Sequence, residues 1–286
     1  MGIKGIRVLQ IKTPVMFQAG LRCVLLVLPA CLAGCTGGTA LEQTPMVGLQ
    51  ITAYTDKMAF YRITDELRVR NITATILVND TFAADNPYLI RQLDDEGCEI
   101  MVFARPTQAD GSSTTMSKLT YEEQYAFVSQ LKSGVEAVLG KPVTGFQCTQ
   151  FDENADTYKV VNELGFQYNL GFVAESSQNI PGHEDAILPY QVDDYGFWAV
   201  PMHCAEWEGE RQAFCDNSFA DLTAEEWESL LKSELDRMDT ADQPLLVEFH
   251  SYQTGVDEGR FQAFVHFLDY AVSKGVRFIT TTEYLE

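Results

Sequence analysis

The chain has 286 residues, 41 acidic against 20 basic, a net charge of −21, and 46% hydrophobic content that includes seventeen Phe, twelve Tyr and three Trp. That apolar share supports a packed core and excludes a disordered chain. The acidic balance excludes the basic patches that nucleic acid or anionic headgroups would need, so no nucleic-acid partner is expected.

In chain order, the first feature is a leader. Arg22 precedes an apolar run, Cys23 to Ala33, far short of the ~20 residues of a bilayer span. The run ends in Leu32-Ala33-Gly34-Cys35, then Thr36-Gly37-Gly38. This order reads as a secretory signal peptide over residues 1–34, with Met16 as an alternative start. The Leu-Ala-Gly-Cys tetrad resembles a prokaryotic lipobox, whose cysteine is lipidated; cleavage elsewhere, with Cys35 incidental, is the competing reading. The expectation is an extracytoplasmic lipoprotein anchored to the membrane at Cys35, with a tether over 35–47 and a domain over 48–286. All four charges before Cys35 (Lys4, Arg7, Lys12, Arg22) are basic, so the mature part is more acidic still.

Leu49 to Tyr54 reads as a strand, Met58 to Val69 as a helix, and Thr73 to Val78 as a strand. Pro87 to Glu96 reads as a helix with Asn86 as N-cap and Gly97 as stop, and Cys98 to Phe103 as a strand. Thr120 to Leu139 is a helix opened by a Thr120/Glu123 capping box and ended by Gly140. A strand at Val143–Cys148, a helix at Ala155–Leu164 and a strand at Gln167–Phe172 follow. Ser176 to Gly182 reads as a loop, and Tyr190 to Ser218 as irregular, acid-rich and aromatic. A helix at Thr223–Met238 begins with a second capping box, Thr223/Glu226. Leu245–His250 is a buried strand, Gly259–Lys274 a helix and Val276–Thr281 a last strand. This alternation predicts one α/β domain with a parallel sheet or barrel, whose chemistry gathers at the carboxyl ends of the strands.

Outside the leader and Cys35 the cysteines are Cys98, Cys148, Cys204 and Cys215. In an oxidising compartment Cys204 and Cys215 close a short loop and are the expected disulfide; the pairing of Cys98 and Cys148 stays open. No C-x-x-C pair exists, so metal ligation by cysteine is not expected. No G-x-S-x-G elbow and no Gly-rich phosphate loop appears. Asp193-Asp194 and Glu206, Glu208 and Glu210 read as solvated acids rather than calcium ligands.

Four stretches carry a family likeness. They are Ile51 to Asp56 with Asn71 to Val78, Asn86 to Ile100, Gly140 to Gln147 with Asp152-Glu153-Asn154, and Pro244 to His250. In order and spacing they resemble the polysaccharide deacetylase family, carbohydrate esterase family 4 with NodB homology. The resemblance implies a distorted (β/α) barrel of about seven parallel strands. It also implies metal-assisted hydrolysis of acetyl groups on a sugar polymer. One Asp and two His of an H-x-x-x-H motif would hold a divalent metal such as zinc, a second Asp would be the base and a late His the acid. Carried onto this sequence, the base falls on Thr55, the metal-ligand Asp on Asp56, the two His on Phe103 and Thr107, the third-motif Arg on Gln147 and the acid on His250. Only Asp56 and His250 survive. No cofactor is therefore expected, and zinc or another divalent metal only if a replacement set forms around Asp56 from His203, Asp152, Glu248 or His250.

The expected binding residues are Gln147, Asp152, His203, Trp207, Glu248 and Tyr252, with aromatic faces, Trp198 and Tyr195 among them, stacking on sugar rings. The resulting reading is an envelope lipoprotein with a deacetylase-like domain that lacks the family metal site and binds glycan or another envelope ligand. The alternatives are an active carbohydrate deacetylase or hydrolase of C–N amide bonds with a rearranged site, and a barrel kept as a scaffold.

Overall fold

A computed structural model of the chain describes residues 44–108, 110–238 and 243–286. The leader, Cys35 and most of the tether lie outside the described residues. The elements run β1 (Met46–Thr52), α1 (Lys57–Val69), β2 (Thr75–Val78), α2 (Asp80–Asp85), α3 (Pro87–Asp95) and β3 (Glu99–Ala104). Then come α4 (Tyr121–Leu139), β4 (Gly145–Cys148), α5 (Ala155–Glu163), β5 (Tyr168–Val173), β6 (Tyr190–Gln191), β7 (Trp198–Met202), β8 (Cys204–Trp207) and β9 (Glu210–Ala213). Last are α6 (Ala224–Met238), β10 (Leu245–His250), α7 (Ser251–Thr254), α8 (Glu258–Ser273), β11 (Arg277–Phe278) and α9 (Thr281–Leu285).

The main sheet has the order β10-β1-β2-β3-β4-β5-β7-β6. Its first seven members are all parallel, β6 is antiparallel at the edge, and β11 pairs the start of β1. Period-two alternation gives this sheet two apolar faces, because successive side chains point opposite ways. Val47, Leu49, Ile51, Ile76, Val78, Ile100 and Val102 meet the helices, where Phe60, Ile63, Val128 and Phe264 complete the outer core. Leu77, Met101, Phe103, Leu170, Val200, Met202 and Leu246 fill the concave side. Each fully buried Leu, Ile or Phe contributes about 1.5–3 kcal/mol. The expected distorted barrel of seven parallel strands is what forms, as a curled half-barrel.

Both capping boxes are present, at Thr120/Glu123 and Thr223/Glu226. Four local expectations need correction. Asn86 gives α3 no side-chain cap; its Nδ2 donates to the Phe82 carbonyl and closes α2, a helix the periodicity did not signal. The stretch expected as irregular holds four short strands, β6 to β9. The last strand spans only two residues, because Thr280 caps a helix that starts at Thr281. Cys204 and Cys215 are free thiols, as are Cys98 and Cys148. Cys204 pairs across the β8–β9 hairpin with Ala213, whereas Cys215 has left the hairpin to lie beside Glu248, its Sγ 3.1 Å from Ser218 Oγ.

That departure shapes the site. Glu248 N–H donates to the Phe214 carbonyl and Asp216 N–H to the Glu248 carbonyl, each at 3.1 Å, while Phe214 N–H donates to the His203 carbonyl at 2.7 Å. Phe214–Asp216 therefore occupies the outer edge of β10 and ties it to the residue after β7. It stitches together the two ends of the sheet that the seven strands leave apart.

Candidate functional site

A cavity of about 760 Å³ opens at the carboxyl ends of β1, β3, β4 and β10, lined among others by Tyr54, Phe103, Arg105, Gln147, Glu248, His250 and Tyr252. Its floor is polar. The Thr52 hydroxyl donates to Glu248 Oε1, and Gln147 Nε2 donates to Glu248 Oε2 at 3.1 Å. His250 Nε2 lies 3.4 Å from Glu248 Oε1. On its other side His250 Nδ1 lies 2.6 Å from Asp216 Oδ1. Asp216, fully buried, also accepts the His250 backbone N–H at 2.9 Å and the Thr254 hydroxyl at 2.6 Å.

Two carboxylates thus bracket one imidazole. Burial alone would lower the His250 pKa, but Glu248 and Asp216 outweigh it and push the pKa up to about 9. At neutral pH the ring is an imidazolium, oriented by Asp216 and able to donate a proton. A base for water is a different matter. Glu248 already receives three neighbours, and Thr55, which stands on the rim, has only a neutral hydroxyl.

The rim is aromatic. The Tyr54 and Tyr252 rings meet edge-on, with centroids 4.6 Å apart, and Tyr252 donates to Asn217 Oδ1 at 2.7 Å. The Arg105 guanidinium lies over the Tyr54 ring, 5.1 Å from its centroid. Burial raises the Tyr54 phenol well above its usual range, and Tyr252 is pushed up to about 12, again chiefly by burial. Both remain neutral hydroxyls.

The structure brings together Gln147, Glu248, His250 and Tyr252 and separates the other expected residues from them. Asp56 is exposed and spent on its helix, accepting the N–H groups of Met58 at 2.9 Å and Ala59 at 3.2 Å. His203 sits in another hollow, its Nε2 2.8 Å from Glu234 Oε2 and 2.9 Å from the Arg237 guanidinium. Asp152 lines a third hollow and accepts from Ser117 at 2.7 Å. Trp207 packs against the outer core from the β8–β9 hairpin, and Trp198 starts β7 at the opposite end of the strands. Neither lines the cleft. Tyr54 and Arg105 stand at strand ends where chemistry was expected to gather, and Asp216 is the residue the sequence did not single out. For Asp216 the sequence holds no local signal, since only the pairing of Phe214–Asp216 with β10 brings it to the histidine.

The residues present do not fit the divalent metal of the family chemistry. Phe103 offers no donor atom, Thr107 is exposed in a bridge with Ser113, and Asp56 faces its own helix. Among the described residues no three His, Cys, Asp or Glu side chains cluster as a ligand set.

The family model for polysaccharide deacetylase matches residues 54–169. No curated protein matches the chain. Among solved structures, a Mycobacterium smegmatis protein assigned as a polysaccharide deacetylase superposes with a TM-score of 0.64 at 18% identity, over 85% of this chain and 89% of that one. A family 4 carbohydrate esterase from Streptomyces lividans, solved with acetate, gives 0.53 at 12% identity, over 82% and 91%. A CE4-family pseudoenzyme from Bacillus anthracis gives 0.55 at 13% identity, over 86% and 66%. At such identities these structures share the fold. Residues 54–169 thus match the polysaccharide deacetylase family model, and the curled parallel sheet that holds them shares the fold of that family's solved structures.

Proposed function

We propose that this domain binds a glycan of the cell envelope without the family's metal chemistry, held at the membrane by a lipid on Cys35. The observation that carries the reading is the cleft itself. It keeps an aromatic pair, Tyr54 and Tyr252, and hydrogen-bonding side chains suited to a sugar, while the positions of base and metal ligands hold Thr55, Phe103 and Thr107. The test is the intact protein assayed for zinc, for acetate release from acetylated chitin oligomers and peptidoglycan, and for calorimetric binding of the same polymers. Binding with neither stoichiometric zinc nor acetate release is expected. Changing Thr55 to Asp and both Phe103 and Thr107 to His should raise zinc affinity; no gain would overturn the alignment of the strand ends. Cys35→Ser should release the protein from membranes or block its processing, and unchanged partition and mature mass would remove the anchor.

A second reading, hydrolysis of an amide by a rearranged site, has one observation in its favour. His250, oriented by Asp216, keeps the geometry of a general acid beside Glu248. One bound zinc and metal-dependent deacetylation by the wild-type protein would replace the first reading with this one.

A further inference from the structure

The chain carries 41 acidic residues against 20 basic, yet the main cleft is lined by one carboxylate, Glu248, and by Arg105, Arg211 and His250. Glu248 lies buried on the floor and is already taken by Thr52, Gln147 and His250. The charge on His250 is answered by Glu248 and Asp216, and that on Arg211 by Glu175. Arg105 is different. It follows β3 directly, at the carboxyl end of the strand, and is exposed. Its guanidinium lies over the Tyr54 ring, and among the described residues it pairs with no carboxylate and donates no hydrogen bond. The Tyr54 hydroxyl is also unspent among the described residues, because Tyr54 is fixed through its backbone N–H, which donates to Ser251 Oγ at 3.0 Å. Burial keeps that phenol protonated against the pull of Arg105, so it stays a donor.

A guanidinium donates and never accepts. Beside the phenol it makes a corner of unspent donors, one of them charged. A neutral sugar hydroxyl would gain little from that charge. A carboxylate accepts from both groups and meets the planar guanidinium in its bidentate geometry. The long-range field of a chain at −21 opposes any anion, so a guanidinium without a carboxylate partner at the cleft is a local exception to the rest of the surface. We propose that the cleft selects a glycan bearing a carboxylate, with Arg105 and the Tyr54 hydroxyl binding that group at the rim. The proposal rests on the glycan-binding reading and names the chemistry of the sugar. A carboxylate on the ring, as in a uronic acid, and one on an ether side chain, as in muramic acid, offer the same group, and the test separates them.

Calorimetry on the intact protein tests it with a β-1,4-linked glucuronate oligomer and an N-acetylglucosamine–N-acetylmuramate disaccharide, each beside its own methyl ester, which keeps the shape and removes the charge. Neutral chitin oligomers are the reference. One acid should bind about tenfold more tightly than its ester, the scale of a hydrogen bond to a charged group, and the pair that shows it identifies where the carboxylate sits. Arg105→Gln should bring that acid down to the affinity of its ester. Arg105→Lys keeps the charge without the planar fork and should retain only part of the preference. An ester bound as well as its acid in both pairs, binding of the neutral oligomers alone, or a preference that survives Arg105→Gln would overturn the proposal and leave the glycan reading standing. Failure of every sugar to bind would instead bring down the glycan reading itself. Should Arg105→Gln fail to fold, a crystal of the wild-type protein soaked with the preferred acid decides, with the carboxylate against Arg105 expected and a carboxylate placed elsewhere overturning the proposal.

Discussion

Asp216 holds His250 at two points, its Oδ1 2.6 Å from the ring Nδ1 and its Oδ2 accepting the backbone N–H at 2.9 Å. Ring and main chain are therefore fixed by one carboxylate, which comes from the segment that leaves the β8–β9 hairpin to pair with β10. The ring cannot turn without losing its Nδ1 contact, while the backbone bond keeps Asp216 in place beside it.

Asp216→Asn keeps the shape of this clamp and removes its charge. The His250 pKa should fall from about 9 toward the ordinary imidazole range, followed by NMR titration of the ring. A hydrogen bond to a charged group is worth about 1.5–3 kcal/mol, and urea unfolding at pH 7 should show a loss of that size. An unchanged pKa would mean that Glu248 alone sets the charge.

The same shift fixes a pH window. The folded pKa lies above the unfolded value of 6.5, so the folded state binds the proton more tightly. Its contribution to stability is complete below pH 6.5 and disappears as pH rises through about 9. At 1.36 kcal/mol per unit it is of order 3 kcal/mol. Denaturation midpoints should therefore fall between pH 6.5 and 9.5, and the fall should vanish in His250→Gln.

Tyr252 is 38% exposed at the rim, with one face toward Tyr54. Tyr252→Ala should weaken glycan binding roughly tenfold while the fold is retained, as loss of one aromatic contact and one polar handle would do. Trp207→Ala, in the hairpin away from the cleft, should leave binding unchanged. Equal losses in both variants would move the ligand out of the cleft.

The cysteines give a chemical test of the fold. Alkylation of the exported, unfolded protein without reductant should modify Cys98, Cys148, Cys204 and Cys215 completely. Before unfolding Cys148 and Cys215 should react slowly, since burial raises both thiols and Cys215 is pushed up to about 12. A Cys204–Cys215 bridge found by mass spectrometry would contradict the separate courses of β8 and the Phe214–Asp216 segment.

Six of the seven parallel strands, all but β7, were legible because each is a short apolar run beside a helix with clear period or capping signals. Glu248 and His250 were legible as the end of such a strand. Residues 190–218 were not, because β6 to β9 are two to five residues long and the hairpin strand β9 is mostly exposed, which leaves little alternation to read. Asp56 misled for a physical reason: the first residues of a helix favour a carboxylate as strongly as a metal does, and here the helix has it. His203 misled because a lone histidine carries no address, and in the fold it faces Glu234 and Arg237 rather than the cleft. Asp216 was invisible because its partner lies 34 residues away and meets it only through backbone pairing.

The segment that joins His203 to β10 gives the imidazolium a second meaning. Its proton is held more tightly while the two margins of the half-barrel stay laced together, since unlacing them withdraws Asp216 from the ring and leaves only Glu248, on the same strand, to hold the charge. The ionisation of one side chain is thus a gauge of ring closure for the whole sheet. Loosening at that seam, whether by heat, by substitution or by a ligand wedging the cleft, should register as proton release from His250 before any strand comes apart.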